Sequence, residues 1–570
     1  MAAARTTDPR PGRAALAYWI LTGLLSAFAL WLAVTRIYQV DEAQNLFMAR
    51  VLATDRTDTY FSNALLWMLG PLSWLERSAG DAASLFLGAR LIFLGIFFLN
   101  IVLLALATGV QLGSKSGKLA LLGAATLAPL WDYGFEIRHD NLILTGLLLI
   151  WWLGRVRPRG GLSFAAIGFL TVVMVFMAFK AFAYVVPLSG ALLLFPPPGH
   201  DRSRLRLLAA WVAGAAAGAL LALLAYQVSG QWSVFAAGFH SGASAMAADA
   251  GSRFGPGIAL NRLPTQTPLL LALAAGALIA FGLALRREGW KALDWAGTAP
   301  ETLLVLGALG VLWINPTPFP YNLVNLVPFL YLLAFRFAAP LAEGLAARPG
   351  YLSLALGVVI FTHAVPFVSA TWRHLDWTND RQVLLMRTAE AMTDPAQDPV
   401  YDAVGMVPTR ESIGYFWYLH SLNMPSVLNG KTPSVSQMLT ANPAPVLIRN
   451  YRTDWLPTSD HRFIASRYIP LADDFWVLGQ ILPEGGGTYQ VVHPGRYQVF
   501  ALKADELAAL PAGTVDGEPL GAGPVTLDMG QRQIQCPADC RPVVVWLGPR
   551  LPRVPNLGAG DHRRLFVNWY

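Results

Sequence analysis

Residues 15–35 read ALAYWILTGLLSAFALWLAVT, and residues 38–45 follow as YQVDEAQN. The first stretch is long and apolar enough to cross a bilayer, since a membrane span needs roughly 20 mainly apolar residues. Acidic side chains beside hydrocarbon are costly and therefore rare without a role. The pair Asp41 and Glu42, placed where the span ends, therefore predicts a functional site.

The composition predicts a polytopic α-helical membrane protein. The chain has 570 residues, of which 55% are hydrophobic and 14% are charged, whereas soluble domains carry about 25% charge. We expect about eleven transmembrane helices, and the N-terminal one reads as an anchor span without a small-residue cleavage site. The predicted spans are 15–35, 88–108, 119–134, 141–154, 163–183, 184–196, 207–227, 267–285, 301–315, 321–337 and 351–370.

The distribution of Lys and Arg predicts the orientation. With a cytoplasmic N-terminus, every connection assigned to the inside is basic, as the positive-inside rule requires. The net charge of +7 is thus explained by topology and does not indicate nucleic-acid binding. We predict a multi-pass protein of the plasma (inner) membrane. The connections 36–87, 135–140, 228–266 and 316–320 and everything after residue 371 are then extracytoplasmic, or periplasmic.

The last 200 or so residues differ from the rest, because long apolar runs stop near residue 371. Residues 1–370 form the predicted membrane domain. Residues 371–484 mix a helical stretch with short strand patterns and predict an extracytoplasmic α/β domain. Residues 485–570 alternate short strands with Gly turns and predict a β-sandwich domain. Two cysteines, Cys536 and Cys540, lie here, and either a disulfide or two free thiols fits the sequence.

A second acidic group lies in the connection 131–140, which reads WDYGFEIRHD. Glu136 and Asp140 are four residues apart and would share one face of a helix, with Arg138 and His139 beside them. An Asp at a helix start also has an ordinary role as N-cap. Because Asp41 and Glu42 lie on the same predicted side, we expect both groups to meet in one cavity, with Asp41, Glu42 and Asp140 as catalytic candidates.

Further candidates lie near the same membrane face. Lys180, near the end of a span, either snorkels to the interface or binds an anionic head group. The long loop 228–266 reads as a functional lid. It carries the candidate substrate ligands His240, Arg253 and Arg262. A Pro-rich junction near residue 320 contains a fourth candidate, Tyr321, and could line the same cavity.

Taken in order, these motifs resemble the GT-C superfamily of membrane glycosyltransferases. The resemblance rests on the acidic pair after the first span, Arg138-His139-Asp140, Lys180, and the later group Pro320, Tyr321 and Pro328. It covers about residues 15–370 and is strongest with the protein mannosyltransferase and lipid A aminoarabinose transferase branch. The tail resembles the extracytoplasmic domains of some members, without a carbohydrate-binding signature.

The resemblance implies a GT-C fold that moves a sugar from a polyprenyl-phosphate donor to a glycan, lipid or protein acceptor in the cell envelope. Asp41 would be the catalytic base, and the second acidic site would organise the pocket, with inversion at the anomeric carbon. Asp41 and Asp140 could also hold Mg²⁺ or Mn²⁺, and the sequence leaves a metal requirement open. The alternative is a transporter or lipid flippase whose outer-face carboxylates bind ions.

Overall fold

A computed structural model gives the architecture of the chain. It describes residues 13–54, 66–178, 180–195, 204–233, 235–236, 255–293, 298–314, 318–346, 349–414, 427–503, 506–510, 512–521 and 523–566.

The part of the chain before residue 380 is helical throughout the described ranges. Its α-helices are α1 (Arg13–Thr35), α2 (Val40–Ala53), α3 (Leu66–Ser78), α4 (Ala82–Ala107), α5 (Lys115–Ala125), α6 (Ala128–Tyr133), α7 (His139–Trp151), α8 (Gly161–Met177), α9 (Ala181–Leu194), α10 (Arg204–Val228), α11 (Gly257–Leu260), α12 (Leu263–Gln266), α13 (Pro268–Glu288), α14 (Ala299–Ile314), α15 (Leu323–Ala346), α16 (Pro349–Val359) and α17 (Val365–Trp372). Two π-helical segments, Trp152–Val156 and Ile360–Ala364, extend α7 and join α16 to α17.

Within the described ranges, six helical stretches are long and apolar enough to cross a membrane: Ala15–Thr35, Ala82–Ala107, Arg204–Val228, Pro268–Ala292, Pro320–Ala339 and Leu354–Asp376. Three shorter apolar helices accompany them: Gly161–Met177, Ala181–Leu194 and Ala299–Trp313. The chain is therefore a multi-pass membrane protein. The count of about eleven spans is not confirmed, because the region 115–154 divides into three short helices of 11, 6 and 13 residues.

Local sequence explains where several helices begin. The carboxylate of Asp81 accepts a hydrogen bond from the backbone N–H of Ser84 at 2.7 Å and caps α4. Ser114 caps α5 in the same way through the N–H of Gly117. Each side chain satisfies one of the helix's unpaired N–H groups.

The predicted outer connection 36–87 contains α2 and α3, which Arg50 and Glu76 join at 2.7 Å.

After the membrane part comes a region of helices and strands, as the sequence predicts in outline, and its strands form two sheets. Its helices are α18 (Asp380–Met392), α19 (Val435–Ala441) and α20 (Thr458–Arg467). Its strands are β1 (Val400–Tyr401), β2 (Val446–Ile448), β3 (Tyr468–Ala472), β4 (Phe475–Ile481), β5 (Gly486–Val491), β6 (Gly495–Lys503), β7 (Glu506–Ala509), β8 (Thr514–Val515), β9 (Glu518–Pro519), β10 (Val525–Leu527), β11 (Gly530–Gln535) and β12 (Pro542–Trp546).

The larger sheet has eight strands and the main order β1-β2-β4-β12-β6-β10, with β3 on β4 and β7 on β6. Only β1 and β2 pair in parallel among the described ladders of this sheet. Strand β12 lies between β4 and β6, and all five of its residues are buried. The proposed division between residues 484 and 485 stays a prediction, and the larger sheet takes strands from both sides of it.

The smaller sheet has the order β5-β11-β8-β9, and the rings of Tyr489 and Tyr497 join it to the larger one at 5.8 Å between centroids. Both cysteines beside it are free thiols, one of the two states that the sequence allows. The Sγ of Cys536 donates to the carbonyl oxygen of Cys540 at 3.1 Å.

The C-terminal region is joined directly to the segment that leads into α2. The side-chain amide of Gln382, in α18, donates to the carbonyl of Tyr38 at 3.0 Å and accepts from its N–H at 2.7 Å. The backbone N–H of Ile37 donates to the carbonyl of Trp377 at 3.0 Å. These bonds fix the segment that immediately precedes Asp41.

Candidate functional site

Asp41 lies in the first turn of α2, where carboxylates interact favourably with the helix dipole. Its side chain is 21% exposed. Asn45, one turn further on, donates from Nδ2 to the carbonyl of Ile137 at 2.8 Å. Helix α2 is thereby held against the segment that carries the second acidic group. The four-residue spacing places Asp41 and Asn45 on the same helix face.

Asp140 lies in the first turn of α7, and the N-cap of that helix is Arg138. The ordinary capping role for Asp140 is therefore not what the structure shows. Instead the guanidinium of Arg138 contacts both carboxylates: its Nη1 pairs with Oδ2 of Asp41, and its Nε lies 3.3 Å from Oδ2 of Asp140. The two acidic groups, 99 positions apart in the chain, thus share one cation.

Lys180 and Tyr321 complete this cluster. The Nζ of Lys180 lies 2.5 Å from Oδ1 of Asp140, so this lysine is ion-paired and does not merely snorkel. The ring of Tyr321 lies beneath both cations, with its centroid 3.8 Å from Cζ of Arg138 and 4.9 Å from Nζ of Lys180. Both distances fall within the range of favourable cation–π interactions.

His139 lies at the margin of the cluster, with Nε2 3.9 Å from Oδ2 of Asp140. We call the six residues Asp41, Arg138, His139, Asp140, Lys180 and Tyr321 the carboxylate–cation cluster. The side chains of Asp41, Lys180 and His139 are each about one-fifth exposed, while Asp140 is buried. Asp41, Lys180 and His139 therefore offer surface that a ligand could contact.

The charges in the cluster keep Asp140 ionised. Burial alone would raise the pKa of Asp140, which lies in the connection between the predicted spans. Lys180, together with His139 and Arg138, outweighs burial and holds that pKa well below its usual range. Two carboxylates then stand beside a guanidinium and an ammonium group, so an incoming anion finds donors and an incoming hydroxyl finds an acceptor.

Glu42 points away from this cluster. It is completely buried, and both of its oxygens lie 2.5 Å from nitrogens of Arg90. It also accepts from the backbone N–H groups of Gln39 at 2.8 Å and Ile137 at 3.1 Å. Because it has no exposed surface and its neighbours are protein groups, the contacts indicate that Glu42 holds α2, α4 and residue 137 together.

Glu136 also lies apart from the cluster. The prediction that Glu136 and Asp140 share a helix face is wrong, because α7 begins only at His139. Glu136 is buried against Arg36, with Nη2 of Arg36 2.9 Å from Oε1. Burial raises the pKa of Glu136 above its ordinary value, and the opposing effect of Arg36 does not cancel this. These contacts indicate a supporting role beneath the cluster.

A further buried network surrounds Asp132, which is not among the candidates predicted from the sequence. Its carboxylate pairs with Arg373, lies 2.8 Å from Nε2 of His374, and accepts from Nε2 of Gln266 at 2.8 Å. Arg36 donates to the carbonyl of Asp132 at 2.9 Å. This network ties α6 to α12 and to the end of the last apolar stretch.

Three candidate substrate ligands of the loop 228–266 remain. His240 and Arg253 lie outside the described residues. Arg262 precedes α12 and is close enough to Tyr133 to interact with it electrostatically.

A divalent metal does not fit the carboxylate–cation cluster well. Mg²⁺ and Mn²⁺ prefer several oxygen ligands, but the Arg138 side chain already joins Asp41 to Asp140, and Lys180 is paired with Asp140. A dication there would be repelled by two fixed positive charges. The geometry suits an anionic ligand better.

One signal in the sequence could have revealed the supporting residues. Arg90 stands within the apolar stretch 88–108, and a charged residue inside a span is normally paired or functional. It is fully buried, and Glu42 is its partner. Gln266, one partner of Asp132, carries no such signal, because its side chain is uncharged.

No protein-family model matches this chain, and no curated protein matches it either. The family resemblance therefore stays a prediction that rests on the short motifs themselves.

Proposed function

We propose that this protein is an integral membrane glycosyltransferase that moves a sugar from a polyprenyl-phosphate donor to an acceptor hydroxyl. The observation that carries the proposal is the carboxylate–cation cluster. It combines a partly exposed carboxylate, Asp41, with two cations that lie over one tyrosine ring. Transfer of this kind needs a base for the acceptor and positive charge for a phosphate leaving group.

Arg138 and Lys180 would bind the donor phosphate. Phosphate accepts paired hydrogen bonds from a guanidinium, and charge-assisted bonds of this kind are among the strongest in proteins. Tyr321 supports both cations from below, so neither has to be ordered when the donor arrives. As the bond from the anomeric carbon to the phosphate oxygen breaks, the growing negative charge would meet cations already in place.

Asp41 would act as the general base. Without substrate, its carboxylate is paired with Arg138. A donor phosphate that takes over part of this guanidinium would free the carboxylate to accept a proton from the acceptor. The acceptor oxygen then attacks the anomeric carbon from the face opposite the phosphate, the proton moves to Asp41, and the configuration inverts. Asp140 would keep Arg138 and Lys180 oriented throughout.

A large apolar cavity offers room for the lipid part of such a donor. It measures about 520 Å³ and lies between α1, α5, α13, α15 and the stretch α16–α17. Tyr331 lines the cavity and stands ten positions after Tyr321. The two residues are therefore roughly 15 Å apart along the helical segment. An isoprenoid chain is purely apolar, and burial of its methylene groups is favourable at about 0.8 kcal/mol each.

The proposed location on the extracytoplasmic face rests on the basic connections of the opposite side. Nucleotide sugars are not found outside the cell, so a lipid-linked donor suits that location. The acceptor and the identity of the sugar are left to experiment.

The test is a transfer assay with the purified full-length protein and polyprenyl phosphates that carry a radiolabelled hexose or pentose. Membranes from source cells that lack the protein supply the acceptors. We expect label to leave the lipid carrier and enter a larger product only when the protein is present. If none of these donors loses label, the glycosyltransferase proposal fails.

The same purified protein also distinguishes the glycosyltransferase hypothesis from the transporter or flippase hypothesis. In proteoliposomes, a flippase would move the labelled lipid to the other leaflet without cleaving its sugar–phosphate bond. Movement of intact donor combined with no cleavage would favour that alternative.

A further inference from the structure

Two helical segments connect the carboxylate–cation cluster to a second group of charges. Asp140 and Arg155 stand fifteen positions apart along α7 and its π-helical extension. Tyr321, in the short 3-10 turn that leads into α15, and Arg336, within α15, are also fifteen positions apart. At about 1.5 Å per residue, each pair is separated by roughly 22 Å. Arg155 and Arg336 therefore lie near the opposite end of the helix bundle, where the proposed reaction does not use them.

Both arginines contact Glu301, in the first turn of α14. Nη2 of Arg155 lies 3.3 Å from Oε1 of Glu301, and Nη1 of Arg336 lies 3.6 Å from the same oxygen. The side chains of Arg155 and Glu301 are only 5% and 4% exposed, whereas that of Arg336 is 37% exposed. Two cations thus share one carboxylate oxygen, and one of them reaches the surface.

The other carboxylate oxygen, Oε2 of Glu301, is buried and has no hydrogen-bond partner among the residues that the structure describes. Leaving a buried charged acceptor unpaired is costly. The free oxygen predicts a donor that is supplied by a bound molecule.

A cavity of about 320 Å³ opens at this group. Arg155, Glu301 and Arg336 line it together with the carboxyl end of α4, at Ala107–Gly109. A helix carboxyl end carries partial negative charge. The cavity therefore has a negative side, formed by Glu301 and the end of α4, and a positive side, formed by the two arginines. Small-molecule sites have volumes from about 300 Å³ upward.

We propose that this cavity binds the headgroup of a zwitterionic phospholipid with a primary ammonium, in the leaflet opposite the carboxylate–cation cluster. The phosphate would accept hydrogen bonds from Arg336 and Arg155, and the ammonium would donate to Oε2 of Glu301. Leu332 and Phe335 also line the cavity and provide an apolar surface for the start of the acyl chains. A headgroup with phosphate but no cation would satisfy only the positive side.

The test is native mass spectrometry of the purified full-length protein in detergent, with equal amounts of phosphatidylethanolamine and phosphatidylglycerol added. Both lipids carry the phosphate, and only the first carries the ammonium. We expect the wild type to retain phosphatidylethanolamine in preference. Glu301→Gln should reduce that preference about tenfold, because one charge-assisted hydrogen bond is lost. Arg336→Gln should weaken the binding of both lipids.

Arg286→Gln is the matched control, since Arg286 is an exposed arginine in the last turn of α13 and does not line the cavity. It should leave both lipids unaffected. Arg336 is partly exposed, so its variant tests the site even if Glu301→Gln does not fold. Equal or stronger retention of phosphatidylglycerol by the wild type would overturn the proposal. So would unchanged binding in Arg336→Gln. None of these readouts depends on sugar transfer.

Discussion

Lys180 and Asp140 form an ion pair in which Nζ lies 2.5 Å from Oδ1, between the first turn of α7 and the residue that precedes α9. The carboxylate is buried and the ammonium is one-fifth exposed. Arg138 adds a second cation to the same carboxylate at 3.3 Å. Asp140 is thus fixed from two sides, whereas Asp41 is partly open to a ligand.

Asp41→Asn should lower sugar transfer by roughly a hundredfold to ten-thousandfold, the usual effect of losing a general base. The amide still accepts a hydrogen bond from Arg138, so donor binding should change little. The measurement is turnover and donor KM with the labelled lipid-phosphate sugar. Asp81→Asn is the control, because Asn caps a helix as well as Asp does. Full activity in Asp41→Asn would refute the base assignment.

Lys180→Met should lower activity and also destabilise the protein by about 1–3 kcal/mol. Breaking a buried pair costs about 3–5 kcal/mol, but Arg138 remains and Lys180 is partly exposed. Adding Asp140→Asn removes the carboxylate that has lost its lysine partner. The double variant should therefore regain part of the thermal stability without regaining transfer. Melting temperature and turnover of the wild type, the two single variants and the double variant show whether the two side chains are coupled. Strictly additive losses of stability would show that the two side chains are not coupled.

Glu42→Gln should act on stability rather than on chemistry. It leaves Arg90 buried without its carboxylate, at a cost of about 3–5 kcal/mol. Protein that remains folded should bind the donor normally. Glu76→Gln offers a comparison, since its partner Arg50 is 31% exposed. Losing this carboxylate should therefore cost less than losing the partner of the fully buried Arg90. A stable but inactive Glu42→Gln protein would restore Glu42 as a catalytic candidate.

The two cysteines provide a direct test of topology. Cys536 and Cys540 are the only cysteines of the chain, and Cys536 is partly exposed. A membrane-impermeant maleimide should label intact cells, after mild reduction, if the C-terminal region is extracytoplasmic. A variant with both cysteines changed to Ser and Arg157 changed to Cys should react only after permeabilisation. The reverse pattern would invert the topology and remove the argument for a lipid-linked donor.

Part of the candidate site could be predicted because its residues carry local signals. Asp41, Arg138-His139-Asp140, Lys180 and Tyr321 all stand out near the ends of apolar stretches, where charge is costly. The structure brings these residues into one cluster. Glu42 and Glu136 carry the same signal but lie in buried ion pairs with Arg90 and Arg36. The sequence does not distinguish a residue of the cluster from one in a buried ion pair, since both are charged residues near the end of an apolar stretch.

The sequence by itself determined that the chain crosses a membrane several times and ends in a region that contains β-strands, because hydrophobicity and periodicity are local properties. Only the tertiary structure decided which acid of the pair Asp41-Glu42 faces the cluster. Adjacent helical residues point about 100° apart, so one reaches Arg138 and the other is buried against Arg90. The contact between Gln382 and Tyr38 depends on folding in the same way, since it joins segments 344 residues apart.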